Sequence, residues 1–291
     1  PGVQALKDVD ITVERGQVHA LVGENGAGKS TLMKILSGLY QSDEGKVFFL
    51  GEEVVFHNAR DALDKGISMI YQEPLLCANL RVAENIFLGR EPTSGLFLRN
   101  AQLFDQCHRD LESIGFGDLD PRARISDLTV AQRQMVEIAK ALALDSDLII
   151  MDEPTSSLTS AEVKRLFRTI GELKERDKAI IFISHRIEEV FEIAEHITVL
   201  RDGEIVASKP IDEVTYNDVI RMMVDRELAA SRSQRYEGGE GGALLEVKNL
   251  TRHGVFENAS FSLHQHEVLG FAGLVRAGRT ELMLASVRLD P

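Results

Sequence analysis

The residues with the most chemistry in this chain stand in one run, Gly23-Glu24-Asn25-Gly26-Ala27-Gly28-Lys29-Ser30-Thr31. Its spacing is that of the phosphate-binding loop G-x-x-x-x-G-K-[ST], in which successive glycines let backbone N–H groups curl around phosphate oxygens. Lys29 is expected to reach the β- and γ-phosphates, and the Ser30 hydroxyl to ligate Mg²⁺. A second group ends an apolar run, Leu148-Ile149-Ile150-Met151-Asp152-Glu153. Asp152 is expected to partner Ser30 on Mg²⁺, directly or through water, with Glu153 one residue on to polarise an attacking water. The competing reading of this pair is a helix start, with Pro154 and Thr155 opening a helix. Gln72 ends another apolar run, where its amide suits a metal ion or a water as well as an ordinary strand end. Ser184-His185-Arg186 ends a third. His185 there is either structural or a sensor of the γ-phosphate. Finally, Leu128-Thr129-Val130-Ala131-Gln132 precedes a helical pattern. Thr129, Ala131 and Gln132 thus offer an anion the positive end of a helix, a feature any helix start shares.

These residues need a scaffold, and the sequence describes one. Strand-like runs recur at Val18–Val22, Ile67–Tyr71, Leu148–Met151, Ala179–Ile183 and Ile197–Leu200, several continuously apolar as strands buried on both faces are. They alternate with helical patterns such as Thr31–Leu39, which predicts an α/β domain with a largely parallel sheet. Between Asn79 and Asp127, Leu103, Cys107 and Leu111 fall at i, i+4 and i+8 among charged residues, which predicts an amphipathic helix with Cys107 in its packed face. This stretch reads as a helical insert on the α/β core.

From Ser231 to Ala243 the chain is rich in glycine and poor in apolar residues. That composition predicts a flexible linker with a span of roughly 20 Å. Beyond it the first domain recurs at an offset of 250: Gly273, Gly278, Arg279 and Thr280 match Gly23, Gly28, Lys29 and Ser30, and Leu282-Met283 match Leu32-Met33. The shared strand–loop–helix pattern predicts a duplicated domain, of which only the opening lies before Pro291. The start at Pro1-Gly2, without a methionine, likewise reads as a fragment.

Composition narrows the partners. The 291 residues carry a net charge of −13, which argues against a nucleic-acid surface. Two cysteines, Cys77 and Cys107, form no C-x-x-C pair and fit a reducing cytoplasm. No run approaches 18 apolar residues and no basic-then-apolar leader is present, so a membrane role is expected to need a partner subunit.

Taken in order, the five elements resemble the Walker A loop, Q-loop, signature motif, Walker B strand and switch histidine of the ATP-binding cassette (ABC) family, a P-loop NTPase fold with a RecA-like core and a helical subdomain. The resemblance spans residues 1 to about 215. It implies domains at 1–215 (helical subdomain about 79–140), a connecting helix and linker at 216–243, and the start of a second cassette at 244–291. Finer matches at Pro1–Leu6, Val22–Lys29, Gln132–Lys140 and Glu153–Thr159 resemble the tandem-cassette ATPases of bacterial monosaccharide importers of the ribose, galactose, xylose and arabinose type. That implies an ATPase (EC 7.5.2 type) using ATP and Mg²⁺, peripheral on the cytoplasmic face of the inner membrane. Its implied partners are permease subunits and, through them, a periplasmic sugar-binding protein, with no nucleic acid. The resemblance also implies a dimer in which each ATP lies between one Walker A loop and the opposing signature loop. Nucleoside or signalling-sugar import, a tandem-cassette translation factor, and a fragment that binds nucleotide without turnover are the rival readings.

Several positions depart from the family pattern. Ala131 stands for a glycine, Thr159 for an aspartate in the loop facing the dimer partner, and Arg279 and Arg276 for the lysine and a glycine-like position of the second loop. Arginine keeps charge but is a planar fork, so the second site is expected to bind ATP with impaired hydrolysis. In the family an adenine-stacking aromatic precedes the Pro-Gly of Pro1-Gly2. Without it ATP is expected to bind about ten- to a hundred-fold more weakly. Glu73-Pro74-Leu75-Leu76 and Leu80–Ile86 stand where importers receive a permease helix, although Leu75, Leu76 and Ile86 suit the insert's core equally well.

Overall fold

The computed structural model describes residues 4–94, 97–224, 242–272 and 278–286. The chain divides into two compact units, Pro1–Glu227 and Leu228–Pro291.

The first unit is built on a six-stranded sheet. Its elements run β1 (Val18–Val22), α1 (Lys29–Leu36), β2 (Val47–Phe49), β3 (Glu52–Val54), α2 (Ala59–Asp64), β4 (Ile67–Ile70), α3 (Val82–Ile86), β5 (Thr93–Ser94), β6 (Phe97–Leu98) and α4 (Asn100–Ser113). They continue as α5 (Val130–Leu142), β7 (Leu148–Asp152), α6 (Ser160–Glu175), β8 (Ala179–Ile183), α7 (Ile187–Ile193), β9 (His196–Arg201), β10 (Glu204–Pro210) and α8 (Tyr216–Met223). The strand order is β10-β9-β1-β8-β7-β4. All neighbours are parallel except β10, which lies antiparallel on β9 at one edge. The α/β expectation holds, and each predicted strand forms to within a residue or two.

Period-2 alternation divides the strand residues between two cores. Val18, Ala20, Val22, Ile149, Met151, Ile180 and Phe182 pack with Val136 and Ile138 of α5, Leu166 of α6 and Val190 of α7. Leu21, Ile150, Ile181 and Ile183 pack with Leu32 and Met33 of α1 and with Val54, Phe56 and Ala62. Each Val, Leu, Ile, Met or Phe among these contributes about 1.5–3 kcal/mol when fully buried. A sheet sandwiched in this way holds its strand ends rigidly, and those ends carry the polar residues.

The helical insert is present, with Leu103, Cys107 and Leu111 all buried on α4. Burial pushes the Cys107 thiol up to about 12, helped by the charge of Asp110. Three details differ from the sequence reading. A short antiparallel hairpin, β5–β6, interrupts the insert, and α5 runs two residues past 140. The first helix starts at Lys29, not Thr31, because Gly28 at φ 105° supplies the turn into it. Asn58 caps α2 by accepting from the amides of Arg60 and Asp61.

In the second unit, β11 (Ala243–Arg252) and β12 (Phe256–His264) form an antiparallel pair, followed by α9 (Arg279–Ser286). The helix after the second loop therefore forms at the expected place, with Gly278 at φ 77° before it. The strand expected before that loop does not: residues 267–272 are irregular, and Val268 is 98% exposed. An apolar strand without a sheet to bury both faces has nothing to hold it extended. Residues 273–277, Arg276 included, and all of the expected linker except Gly242 and Ala243 lie outside the described residues.

Candidate active site

Four of the parallel strands end on the same side of the sheet, where open α/β sheets bind ligands. β1 leads into the glycine loop, β4 is followed by Gln72, β7 delivers Asp152 and Glu153, and β8 leads to His185. Since β1, β8, β7 and β4 are successive neighbours, these residues converge although Gly23 and His185 stand 162 positions apart in sequence.

Two of the loop's glycines, Gly23 and Gly28, are dictated by space. A Cβ on Gly28 would stand 2.7 Å from the Ala5 carbonyl oxygen and 2.8 Å from a Leu6 methyl. One on Gly23 would stand 2.1 Å from the Leu200 carbonyl oxygen. The loop is tied to the β9–β10 turn, because the Gly203 amide donates to the Ala27 carbonyl at 3.0 Å. Since α1 begins at Lys29, the first-turn amides have no carbonyl one turn back, and they carry the positive end of the helix.

A cavity of about 610 Å³ lies over this loop. Asn25, Gly26, Gly28, Lys29, Ser30, Thr31, Gln72, Asp152 and Glu153 line it, whereas Gly23, Glu24, Ala27 and His185 do not. Gln4, Ala5, Asp202 and Gly203 complete the wall. Those four were not anticipated, and only the Asp-Gly turn of Asp202-Gly203 left any mark in the sequence.

Lys29 curls back on the loop, its Nζ donating to the carbonyl oxygens of Gly23 at 2.7 Å and Glu24 at 2.9 Å. Burial lowers its pKa against the pull of Glu153 and Asp152. Asp152 is raised, by burial first and then by the charge of Glu153, with Lys29 and Lys34 opposing. Both shifts have one cause, charges withdrawn from water without full compensation. A polyanion would supply it to Lys29 and a cation to Asp152. Ser30, Asp152 and Gln72 together offer the hard oxygen donors that Mg²⁺ takes, so the donor set fits that ion.

Glu153 sits in the left-handed region at φ 48°, a strained conformation for a glutamate. Its amide donates to the Ile183 carbonyl at 3.0 Å, the last link between the β7 and β8 chains here. Its Oε2 is approached from two sides, by Gln72 Nε2 at 3.4 Å and by His185 Nδ1 at 3.1 Å. The helix-start reading of this pair is not what forms. The helix begins only at Ser160, capped by Thr159, which accepts from the Glu162 amide while Glu162 accepts from the Thr159 amide.

The signature residues lie elsewhere. Thr129 caps α5, accepting from the Gln132 amide, and the Gln132 side chain accepts from the Thr129 amide. Thr129, Ala131 and Gln132 do not line the cavity. Leu75 is 60% exposed, Leu76 packs at the edge of the core and Ile86 is buried within it. Lys140 of α5 donates to the Leu75 carbonyl at 3.2 Å, tying the segment after Gln72 to the helix that Thr129 caps.

A family model described as ABC transporter matches residues 6–156, more than half of the chain. The chain belongs to the ABC transporter family. Among curated relatives, it is 49% identical over 288 residues to a putative ribose/galactose/methyl galactoside import ATP-binding protein of Halalkalibacterium halodurans, covering 97% of this chain and 54% of that protein. It is 46% identical over 288 residues to the galactose/methyl galactoside import ATP-binding protein MglA of Escherichia coli K12, covering 97% of this chain and 56% of MglA. The chain thus spans about half the length of the curated relatives it matches. Among solved structures, a nucleotide-free ATP-binding cassette from an ABC transporter superposes with TM-score 0.66 at 26% identity, over 77% of this chain and 94% of that one. The ADP conformation of an ATP-binding cassette of an ABC transporter gives TM-score 0.64 at 25% identity, over 78% of this chain and 92% of that one. The fold is therefore that of a P-loop ABC cassette.

Proposed function

We propose that this chain belongs to an ATP-hydrolysing subunit that drives import of a monosaccharide of the galactose or ribose type across the cytoplasmic membrane. The observation that carries the reading is the clasp on Glu153: one carboxylate oxygen reached by both Gln72 and His185, at the wall of the cavity that holds Lys29 and Ser30. The names of the relatives support the sugar class.

The proposed roles follow from the geometry. Lys29 leaves the Gly23 and Glu24 carbonyls for the β- and γ-phosphates of ATP, a charge-assisted contact stronger than the two it gives up. The first-turn amides of α1 hold the same phosphates. Ser30, Asp152 and Gln72 would hold Mg²⁺, which when bound neutralises charge on the transferred phosphoryl group. Glu153 orients and polarises the attacking water, and His185 steadies that water and the γ-phosphate. Each such general-base or positioning group is worth about 10²–10⁴ in rate.

Thr129, Ala131 and Gln132, away from this cavity, are proposed to close the ATP site of an opposing cassette. The second unit is proposed to open that second cassette, with domains at 1–215, 216–243 and 244–291. The other partners are permease subunits and, through them, a periplasmic sugar-binding protein. Among the described residues no helix is long and apolar enough to cross a membrane, which suits a subunit held at the cytoplasmic face by its permease.

Steady-state ATPase measurements on the full-length protein test this. Lys29→Ala should weaken nucleotide binding, and Glu153→Gln should keep binding while lowering turnover at least about 100-fold. Turnover untouched by both changes would falsify the assignment of the site.

A further inference from the structure

Glu153 and His185 lie on separate loops, and past the Asp152–Ile183 pair the sheet no longer holds those loops together. A third element does. Glu189, on α7, is 8% exposed, and its Oε2 accepts from Thr155 Oγ1 at 2.7 Å and from Ser184 Oγ at 3.1 Å. Thr155 follows Glu153 by two residues, and Ser184 precedes His185 by one. Both hydroxyl-bearing residues are themselves almost fully buried. The other oxygen, Oε1, pairs with Arg186 at 3.0 Å, and the Arg186 amide donates to Ser184 Oγ. One buried oxygen thus bridges the two loops.

We propose that Glu189 is a positioning residue for ATP hydrolysis, holding the Glu153 and His185 loops at the 3.1 Å spacing of their side chains. It touches neither the cavity nor the proposed water, and it acts through Thr155 and Ser184. A buried carboxylate is suited to this because two lone pairs on one oxygen take both hydroxyl protons, while Ser184 Oγ stays free to accept from the Arg186 amide. The inference rests on the proposed hydrolytic role of Glu153 and His185.

The test uses the full-length protein and reads kcat and KM for ATP separately, together with the His185 ring signals by NMR. Glu189→Ala should lower kcat about 100-fold, the penalty of misplacing reacting groups by about 1 Å, and leave KM within about threefold because the glycine loop is untouched. Thr155→Val removes one of the two hydroxyl contacts without emptying the site, and it should lower kcat about tenfold. Glu189→Gln keeps a carbonyl oxygen where Oε2 stands and should restore kcat to within about threefold of wild type. The His185 ring signals should shift in Glu189→Ala in the direction they take in Glu153→Gln, and return in Glu189→Gln. Wild-type kcat in Glu189→Ala, equal losses in the Gln and Ala variants, or unmoved His185 signals would each overturn the proposal. A wild-type protein that hydrolyses no ATP would instead remove the function reading alone, and the His185 signals would still decide whether Glu189 sets the spacing.

Discussion

Replacing His19 by glutamine should remove a specific acid sensitivity from the strand that carries the phosphate loop. His19 lies in the middle of β1, 2% exposed, with Nε2 2.7 Å from Thr198 Oγ1 and its ring centroid 4.8 Å from that of His196. Burial, and secondarily the charge of His196, lowers its pKa from 6.5 to about 4. The folded state therefore holds His19 neutral where the unfolded chain protonates it. The stabilisation is fully present above pH 6.5 and is lost as pH falls from 6.5 towards 4, about 3 kcal/mol across the window. Between pH 7.5 and 5.5 the loss is about 1.3 kcal/mol. Glutamine keeps a hydrogen bond to Thr198 and does not titrate, while carboxylates common to both proteins cancel in the difference. Urea unfolding of the two proteins at both pH values measures it. With an urea slope of about 1–3 kcal/mol/M, the wild-type midpoint should fall by about 0.4–1.3 M more than the variant's. Parallel pH profiles, or a His19 NMR titration midpoint near 6.5, would refute the reasoning.

Three further outcomes rest on the same structure. Gly28→Ala places a methyl group 2.7 Å from the Ala5 carbonyl oxygen at φ 105°, so it should cost about 1–3 kcal/mol in unfolding experiments and weaken nucleotide binding measured by fluorescence titration. Thr159→Ala deletes the cap of α6 and should lower stability by about 1 kcal/mol, read as a urea midpoint shift, whereas Thr159→Asp should retain it. In the native protein a thiol reagent should modify the exposed Cys77 quickly and leave Cys107 unreacted until denaturant is added, since Cys107 is buried with its pKa pushed up to about 12. Prompt reaction of two thiols in the native state would contradict the packing of α4.

The elements that hold the site were legible because each has a local cause. Ala179–Ile183 and Val18–Val22 announce themselves as continuous apolar runs, since strands covered on both faces have no solvent side to mark. In the structure Thr129…Gln132 and Thr159…Glu162 form capping boxes at the starts of α5 and α6. What stayed hidden was set by tertiary neighbours. The hairpin β5–β6 has two residues per strand, too few for an alternation to register. The strand expected ahead of the second loop, opposite β1 at the offset of 250, has apolar residues but pairs with no strand among the described residues. Gln4, Ala5 and Asp202 reach the cavity only because the Lys7 amide donates to the Gly203 carbonyl and the Gly203 amide to the Ala27 carbonyl.

Strand order decides what those local signals become. In chain order the polar strand ends belong to β1, β4, β7 and β8, and nothing local places β1 beside β8 and β9. Once β8 sits between β1 and β7, His185 is carried to Glu153 and Glu153 to the wall behind Lys29. A strained glutamate at φ 48° survives there because its amide is pinned to Ile183 and its carboxylate is held from two sides. The strain is local to one residue while the contacts that sustain it come from two other strands, β4 and β8, and the loops that follow them. The geometry of Glu153 therefore depends on the whole sheet, and loosening any of those strands should be felt at that carboxylate before it is felt in the fold.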